Sequence, residues 1–180
     1  MHIKQIVLFS LLSAVMFSQS PEKAVKKLGK NPVFFIDSVR VDRNEFRNFD
    51  NNETSLVSIY NDFEAISLFG DDGKDGIVYV ETIKFSKNRY WKFFKSKSAE
   101  YLILVPNSEN DSNVQYILNK NVLVDNFEGA LATIDNSTFE KLIILSKQEL
   151  HKQFNITDKE FGILIISKTP KNLYNGKQKF

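Results

Sequence analysis

The chain contains no cysteine among its 180 residues. Disulfide bonds, thiolate nucleophiles, thiolate zinc sites and lipid attachment to a cysteine are therefore excluded. Histidine is nearly as scarce, since only His2 and His151 are present. Because we expect His2 to be removed with an N-terminal segment, a histidine metal cluster is excluded. A Ser-His-Asp triad would have to use His151, which we interpret as a surface residue of a predicted helix.

A large excess of one charge is also lacking. The formal net charge is +2, and it falls to +1 without Lys4, so no nucleic-acid partner is expected. Apolar residues make up 42% and charged residues 26% of the chain, which is typical of a globular protein. With 16 phenylalanines the chain can build a core, and its length predicts one domain or two small halves.

Residues 1–18 have the three-part pattern of a secretory signal peptide. A short basic segment precedes an apolar stretch over residues 6–17, and Ser18 and Ser20 supply the small residues of a cleavage site. An uncleaved anchor is the alternative, but the stretch is shorter than the ~20 residues that span a bilayer. We expect cleavage after Ser18, because cleavage after Ser20 would leave Pro21 first. Residues 19–31 then form an N-terminal linker.

Two stretches, residues 32–85 and 114–168, share one pattern, which indicates an internal repeat. Each predicts strand, helix, strand, helix and strand in that order. The matched residues are Phe35, Ile36 and Asp37 with Ile117, Leu118 and Asn119; Val57 and Ile59 with Leu142 and Ile144; Phe69 and Gly70 with Phe154 and Asn155; and Gly76, Ile77 and Val78 with Gly162, Ile163 and Leu164.

The predicted elements of the first stretch are strands over 33–36, 56–60 and 77–83 and helices over 42–49 and 61–69. Those of the second are strands over 115–118, 141–145 and 162–167 and helices near 126–134 and over 146–154. Asp42 and Glu45 have the spacing of a capping box, and Asn61 is expected to cap the second helix. Gly70 should end that helix in the left-handed conformation. The predicted core-facing side chains of this helix are Phe63, Ala65, Ile66 and Phe69.

The first stretch resembles the plug domain of TonB-dependent outer-membrane receptors. The resemblance is carried by the run from Pro32 to Asp37, by Phe69-Gly70 and by Gly76-Ile77-Val78 before a strand. Ser38 departs from the glycine of the family pattern, and over 114–168 the likeness rests on the repeat. The candidate fold-motif residues are Pro32, Ile36, Asp37, Phe69, Gly70, Gly76, Phe154 and Gly162.

The resemblance implies a free-standing plug-like module of a Gram-negative envelope. A receptor of this family encloses its plug in a barrel, and 22 strands of ~10 residues each need at least about 220 residues. Residues 169–180, the C-terminal tail, are too few, so we expect no such barrel. Transport is therefore not what the resemblance predicts for this chain.

The connector over residues 86–113 begins in a basic and aromatic segment, residues 84–97, which contains no acidic residue. Its helical spacing predicts an aromatic side and a basic side. We expect a connector with aromatics inward; the alternative is a surface for anionic lipid or another polyanion. Residues 100–105 fit either a helix or a strand. The candidate interaction residues are Arg89, Tyr90, Trp91, Lys92 and Lys95.

The acidic run from Asp71 to Gly76 invites comparison with a calcium-binding loop. Asp75 and Gly76 fit that pattern, but Gly73 and Thr82 stand where oxygen ligands are needed. We therefore interpret the run as a polar turn. No metal and no cofactor is predicted.

These patterns together predict an α+β fold of two similar β-α-β-α-β plug-like units packed together with a connecting helix. The function they favour is that of a non-catalytic exported protein that binds an unidentified envelope protein. The alternative is a membrane-surface or polyanion binder that uses residues 84–97, with peripheral membrane contact. A hydrolase with an unusual carboxylate site is a third hypothesis. The expected location is the periplasm or the periphery of the outer membrane, and the oligomeric state is left open.

Overall fold

The structure, a computed structural model, describes residues 28–168. The predicted signal peptide, most of the predicted linker and the predicted tail lie outside these residues. Within them, helices and two four-stranded sheets are combined, so the α+β prediction is confirmed.

The first unit spans residues 33–82. Its elements are β1 (Val33–Ile36), β2 (Val39–Val41), α1 (Arg43–Asn48), β3 (Thr54–Tyr60), α2 (Asp62–Phe69) and β4 (Ile77–Thr82). Short 3₁₀ turns at Asn51–Glu53 and Gly70–Gly73 precede β3 and β4.

Two helices connect the units, α3 (Ile83–Lys97) and α4 (Ala99–Leu104), so residues 100–104 are helical. The second unit spans residues 114–167. Its elements are β5 (Val114–Leu118), β6 (Asn121–Val122), α5 (Glu128–Ala132), β7 (Phe139–Ser146), α6 (Lys147–Phe154) and β8 (Phe161–Ser167).

The two sheets have one topology. Their strand orders are β2-β1-β4-β3 and β6-β5-β8-β7. Each unit begins with an antiparallel hairpin, β1–β2 or β5–β6. The first strand of the hairpin pairs in parallel with the last strand of the unit, β4 or β8. The third strand, β3 or β7, pairs antiparallel with that same last strand. The hairpin strands β2 and β6 were not predicted, because three- and two-residue strands are too short for a clear alternation pattern.

Strand register fixes which residues of the two units correspond. Ile36 pairs with Val80 in the first unit, and Leu118 pairs with Ile165 in the second. The same frame makes Gly162 the counterpart of Ile77, since Ile77 lies opposite Tyr60 and Gly162 opposite Leu145. The predicted matches of Gly76, Ile77 and Val78 with Gly162, Ile163 and Leu164 are therefore wrong by one residue. The two Gly-Ile dipeptides look alike, but Gly76 precedes β4 whereas Gly162 is the second residue of β8.

Each sheet is covered on both faces. In the first unit, Phe46 of α1 packs on the face of Phe34 and Val57, and Ala65 of α2 packs on the face of Tyr60 and Ile77. In the second unit, aromatic residues of α3 and α4 help α5 to cover one face, and Leu150 of α6 covers the other. The connecting helices therefore form part of the second core.

The second unit contacts the first at the start of β3. Gly129 of α5 lies so close to the chain at Ser55 that a Cβ on Gly129 would be 2.2 Å from the carbonyl oxygen of Ser55. Only a residue without a side chain allows this approach. A glycine in a short helix thus sets the distance between the two units.

The helix ends agree with the sequence in part. Asp42 and Glu45 form the predicted capping box. Asn61 stands at the predicted N-cap position of α2, but its side chain makes no capping hydrogen bond. Gly70 ends α2 at φ 63° and ψ −148°, which is a glycine-only region and not the predicted left-handed helical one. Its counterpart Asn155 does adopt that left-handed conformation, at φ 57° and ψ 35°.

Candidate functional site

Helix α2 exposes large apolar side chains to solvent. Phe63 is 85%, Ile66 42% and Leu68 37% exposed, whereas Ala65 is fully buried. Ala65 and Phe69, one helical turn apart, face the sheet. The predicted core-facing side chains were thus wrong for Phe63 and Ile66, because contact with the sheet follows the Ala65–Phe69 spacing. We call Phe63 and Ile66 the α2 face; Leu68 lies roughly 140–160° around the helix from them, on its other flank.

Helix α6 occupies the position of α2 in the second unit and lacks these exposed apolar side chains. It follows the third strand of its sheet and precedes the last strand, as α2 does, and it buries Leu150 where α2 buries Ala65. In the shared frame, the counterparts of the α2 face are Gln148 and His151, both of which are exposed. The fold therefore accepts polar side chains at these two positions.

This internal comparison separates the α2 face from ordinary surface exposure. Single apolar residues are common on protein surfaces, but grouped ones mark interaction sites. Phe63 and Ile66 are three residues apart and lie on one side of the helix. Because the second unit needs no apolar residue there, the α2 face is not explained by the packing of its own unit.

The surroundings of the α2 face carry negative charge. Glu64 lies on α2 itself, and Asp71 and Asp72 are exposed in the turn that follows the helix. Asp72 accepts a hydrogen bond from Arg40 at 3.1 Å. Helix α2 contains no lysine or arginine, whereas α6 contains Lys147 and Lys152 among its residues. An apolar face with an acidic border suits a segment that is apolar and basic.

The aromatic residues predicted as interaction candidates lie mainly in the core. Tyr90 is buried and packs edge-on against Tyr116 with ring centroids 5.6 Å apart. Trp91 is half-buried, and its indole N–H donates to the carbonyl of Val105 at 2.8 Å. Burial raises the pKa of Tyr90 far above its ordinary value. These two side chains therefore hold α3 and α4 in place.

The basic candidates divide into engaged and exposed side chains. Arg89 donates hydrogen bonds to the carboxylate of Glu81 and to the backbone carbonyl of Ala132. Lys95 lies 3.8 Å from the ring centre of Trp91, which is a cation–π contact. Lys92 is exposed. The structure thus does not bring the five candidates together as one surface.

Glu81 is the most deeply buried carboxylate among the first-unit side chains that the structure describes, and sequence reasoning missed it. Its side chain is 1% exposed and accepts hydrogen bonds from Arg89 and, at 2.9 Å, from Ser86. Burial raises the pKa of Glu81, and Arg89 opposes that shift. Since Arg89 also binds Ala132 of the second unit, this cluster joins the units. Its counterpart in the second unit is Ile166, so the shared fold does not require a charge here.

A second polar cluster lies beside the core of the second unit. Lys87 donates to Asp111 at 3.0 Å, and the hydroxyl of Tyr90 donates to the same carboxylate at 3.4 Å. Nearby, the hydroxyls of Tyr101 and Tyr116 are 3.0 Å apart. Each of these polar groups has a partner, so the cluster is a satisfied part of the core.

Asp37 has a structural role that its place in the motif suggested. Its carboxylate accepts hydrogen bonds from the backbone and side chain of Thr82, both at 2.7 Å. In the second unit, Asn119 accepts from the backbone of Ser167 at 3.1 Å. In both units the first residue of the hairpin turn thus holds the end of the last strand.

The other fold-motif residues also act in packing. Pro32 is buried just before β1, and Ile36 packs against the core between α1 and the first sheet. Phe69 and Phe154 pack at the ends of α2 and α6. Gly76 has φ 88°, which requires glycine. Gly162 has no such angle, and a Cβ on it would lie 2.9 Å from Leu150.

A cavity of about 460 Å³ lies at the open end of the β1–β2 hairpin. Its lining includes Phe34, Arg40 and Arg43. Arg40 is paired with Asp72, and Arg43 donates to the carbonyl of Lys30 at 3.1 Å. Both guanidinium groups are thus already hydrogen-bonded within the protein.

No group of three or more acidic or histidine side chains that could hold a metal ion is present among residues 28–168. The acidic run after α2 forms the 3₁₀ turn Gly70–Gly73 and the turn that leads into β4. His151 is exposed on α6. Within the same part of the chain, no helix has the length and apolar character needed to cross a membrane.

The sequence does hold a signal for the α2 face. Aligning DFEAISLF of α2 with KQELHKQF of α6 places Phe63 against Gln148 and Ile66 against His151. That contrast identifies the face only once the strand register has fixed the alignment. Comparison of the chain with known proteins finds no match to a family model, to a curated protein or to a solved structure.

Proposed function

We propose that this protein is a non-catalytic, exported interaction module of a Gram-negative cell envelope, and that it binds a protein partner on the α2 face. The observation that supports this most directly is the contrast between the two units. The same side of the helix carries Phe63 and Ile66 in the first unit and Gln148 and His151 in the second. Exposed apolar side chains at positions that accept polar ones point to a bound partner.

The chemistry of the face defines the partner. Burying Phe63 and its neighbours requires apolar side chains on the other molecule, and the border formed by Asp71 and Asp72 favours lysine or arginine beside them. Two α2 faces brought together would place like charges next to each other. The proposed partner is therefore an apolar and basic segment of an envelope protein.

The cellular location of the protein is part of the same proposal. The signal-peptide pattern of residues 1–18 supports export, and the plug-like sequence of residues 32–85 supports a Gram-negative envelope. Expression in such a host should yield a chain that starts at Gln19. N-terminal sequencing of the protein from each cell fraction tests this, and an intact Met1 in the cytoplasm contradicts it.

Capture from envelope extracts tests the binding face. The test variant carries Phe63→Gln and Ile66→Gln, and the control variant carries Gln148→Ser and His151→Ser on α6. We expect the wild-type and control proteins to retain the same envelope protein and the test variant to lose it. Equal capture by all three, or capture of no protein by the wild type, overturns the proposal.

Binding to an anionic surface is the second candidate function. Lys84 and Lys92 of α3 are exposed, and the ammonium group of Lys95 lies 3.8 Å from the ring centre of Trp91. Replacing these three lysines with glutamine should abolish binding to anionic vesicles or heparin if this function holds. Arg89 is left unchanged because its contact with Glu81 is structural. Absence of binding by the wild-type protein excludes this candidate.

A further inference from the structure

The exposed side of α4 is apolar. Ile103 is 78% and Leu102 41% exposed, and Ala99 is also exposed. These three residues share one side of the helix, because they are spaced by three and four residues. Tyr101 and Val105, on the other side, are buried in the core of the second unit. We call Ala99, Leu102 and Ile103 the α4 ridge.

The exposed side of α3 is basic. Lys84, Asn88, Lys92 and Lys95 follow one another at intervals of four, four and three residues, which places them in one row along the helix. Helix α3 contains no acidic residue. Within residues 28–168, none of the three lysines forms an ion pair with an acidic side chain. The row is therefore a stripe of positive charge that the described part of the chain does not neutralise.

Trp91 joins this row to the α4 ridge. Its indole N–H donates to the carbonyl of Val105 at 2.8 Å, and the ammonium group of Lys95 lies 3.8 Å from its ring centre. Leu102 lies three residues before Val105, on the neighbouring part of the helix surface. Glu100, the acidic residue of α4, lies about 160° around the helix from Leu102 and so does not separate the ridge from the lysines. Apolar side chains and lysines thus adjoin on one surface.

We infer that the α4 ridge inserts into the surface of an anionic phospholipid bilayer while Lys84, Lys92 and Lys95 bind the phosphate groups of the lipids. A bilayer offers these two chemistries in adjacent layers, and apolar and basic residues presented together are typical of interfacial binding. Protein interfaces, by contrast, are depleted in lysine, and leucine is under-represented among the residues that dominate their binding energy. The inference deepens the second candidate function, on which it rests, and does not involve the α2 face.

Vesicle binding tests the inference with two matched pairs of substitutions. The ridge variant carries Leu102→Gln and Ile103→Gln, and the control variant carries Phe63→Gln and Ile66→Gln. Each protein is the processed chain that starts at Gln19, so that the apolar stretch of residues 6–17 contributes nothing. The vesicles contain equal parts of phosphatidylcholine and phosphatidylglycerol, and cosedimentation measures the partition coefficient.

We expect the ridge variant to bind these vesicles about tenfold more weakly than the wild type, because two apolar side chains no longer enter the bilayer. The control variant should bind as the wild type does. Unchanged binding by the ridge variant, or an equal loss in both variants, overturns the inference.

Heparin separates insertion from charge attraction, because it is a polyanion without an apolar interior. The ridge variant should bind heparin as the wild type does, whereas replacing Lys84, Lys92 and Lys95 with glutamine should weaken binding to heparin and to vesicles. If only the lysine substitutions weaken vesicle binding, the inference fails and the second candidate function stands. If the wild type binds neither vesicles nor heparin, both fail.

A label on the ridge gives a direct measurement, since the chain has no cysteine of its own. Ile103→Cys carries an environment-sensitive fluorophore, and Phe63→Cys with the same label is the control. On vesicles the label at position 103 should become brighter and should be quenched by brominated acyl chains, and the control label should show neither change. A label at position 103 that stays in water on vesicle-bound protein contradicts insertion. Capture of an envelope protein that depends on Leu102 and Ile103 in the absence of lipid would show instead that the ridge binds protein.

Discussion

The ion pair between Glu81 and Arg89 makes the sharpest prediction about stability. Replacing Arg89 with methionine keeps most of the side-chain volume but leaves the carboxylate of Glu81 buried with Ser86 as its remaining side-chain donor. Removing one partner of a buried ion pair costs about 3–5 kcal/mol. Since Arg89 is itself 37% exposed, we expect the lower end, about 3 kcal/mol.

The second unit supplies the compensating change. Ile166 occupies the position of Glu81 in the shared frame, so Glu81→Ile together with Arg89→Met replaces the pair by apolar side chains. Such replacements are often neutral or stabilising. We expect the free energy of unfolding of the double variant to lie within about 1 kcal/mol of that of the wild type. It should therefore be clearly higher than that of Arg89→Met alone.

The effect should depend on pH in a defined direction. Burial already raises the pKa of Glu81 in the folded protein, and loss of Arg89 raises it further. A group with a raised folded-state pKa favours folding below its unfolded pKa and loses that advantage as the pH rises through its folded value. The destabilisation by Arg89→Met should thus be smaller at pH 5 than at pH 8.

Urea unfolding followed through the fluorescence of Trp91, the single tryptophan, measures these differences. With a slope of about 2 kcal/mol per molar urea, a loss of 3 kcal/mol lowers the midpoint by roughly 1.5 M. A midpoint for Arg89→Met within about 0.3 M of wild type, or a double variant no more stable than the single one, would refute the reasoning.

Three further predictions concern backbone space and buried phenols. Gly70→Ala should destabilise the protein by about 1–3 kcal/mol, because the φ and ψ of Gly70 suit glycine alone. Asn155→Ala should cost less. Equal urea midpoints for the two variants would contradict this. Gly129→Ala should push α5 away from Ser55. Because overpacking costs about 1–3 kcal/mol, the urea midpoint should fall by roughly 0.5–1.5 M; an unchanged midpoint would show that this contact does not hold the units together. Burial raises the pKa of Tyr79 to about 12, so stability should hold up to about pH 10 and fall above it; absorbance titration showing a folded protein whose tyrosines all ionise near pH 10 would contradict that expectation.

Much of the architecture follows from local sequence signals. The capping box at Asp42 and the ends of most strands were predicted because a cap or an alternating pattern needs only neighbours in the chain. The hairpin strand β2 was missed because its three residues have meaning only beside β1. Gly70 was recognised as a stop, but the choice between two positive-φ conformations depends on the turn that follows.

The candidate site could be predicted less well, for the same physical reason. Phe63 and Ile66 were assigned to the core on hydrophobicity, but burial depends on which side of α2 the sheet touches. Glu81 looked like an ordinary strand residue until its burial and its contact with Arg89 were known. Both features depend on contacts between segments far apart in sequence.

The way Gly129 and Arg89 join the units has a consequence for the order of folding. A chain made from its N-terminus completes β4 before α3 and α5 exist. At that stage Glu81 has neither Arg89 nor the second unit beside it, and the start of β3 is open at Ser55. The first unit is thus incomplete by itself, and the arrival of residues 83–132 both shields its edge and neutralises its buried acid, so folding should be cooperative over the two units.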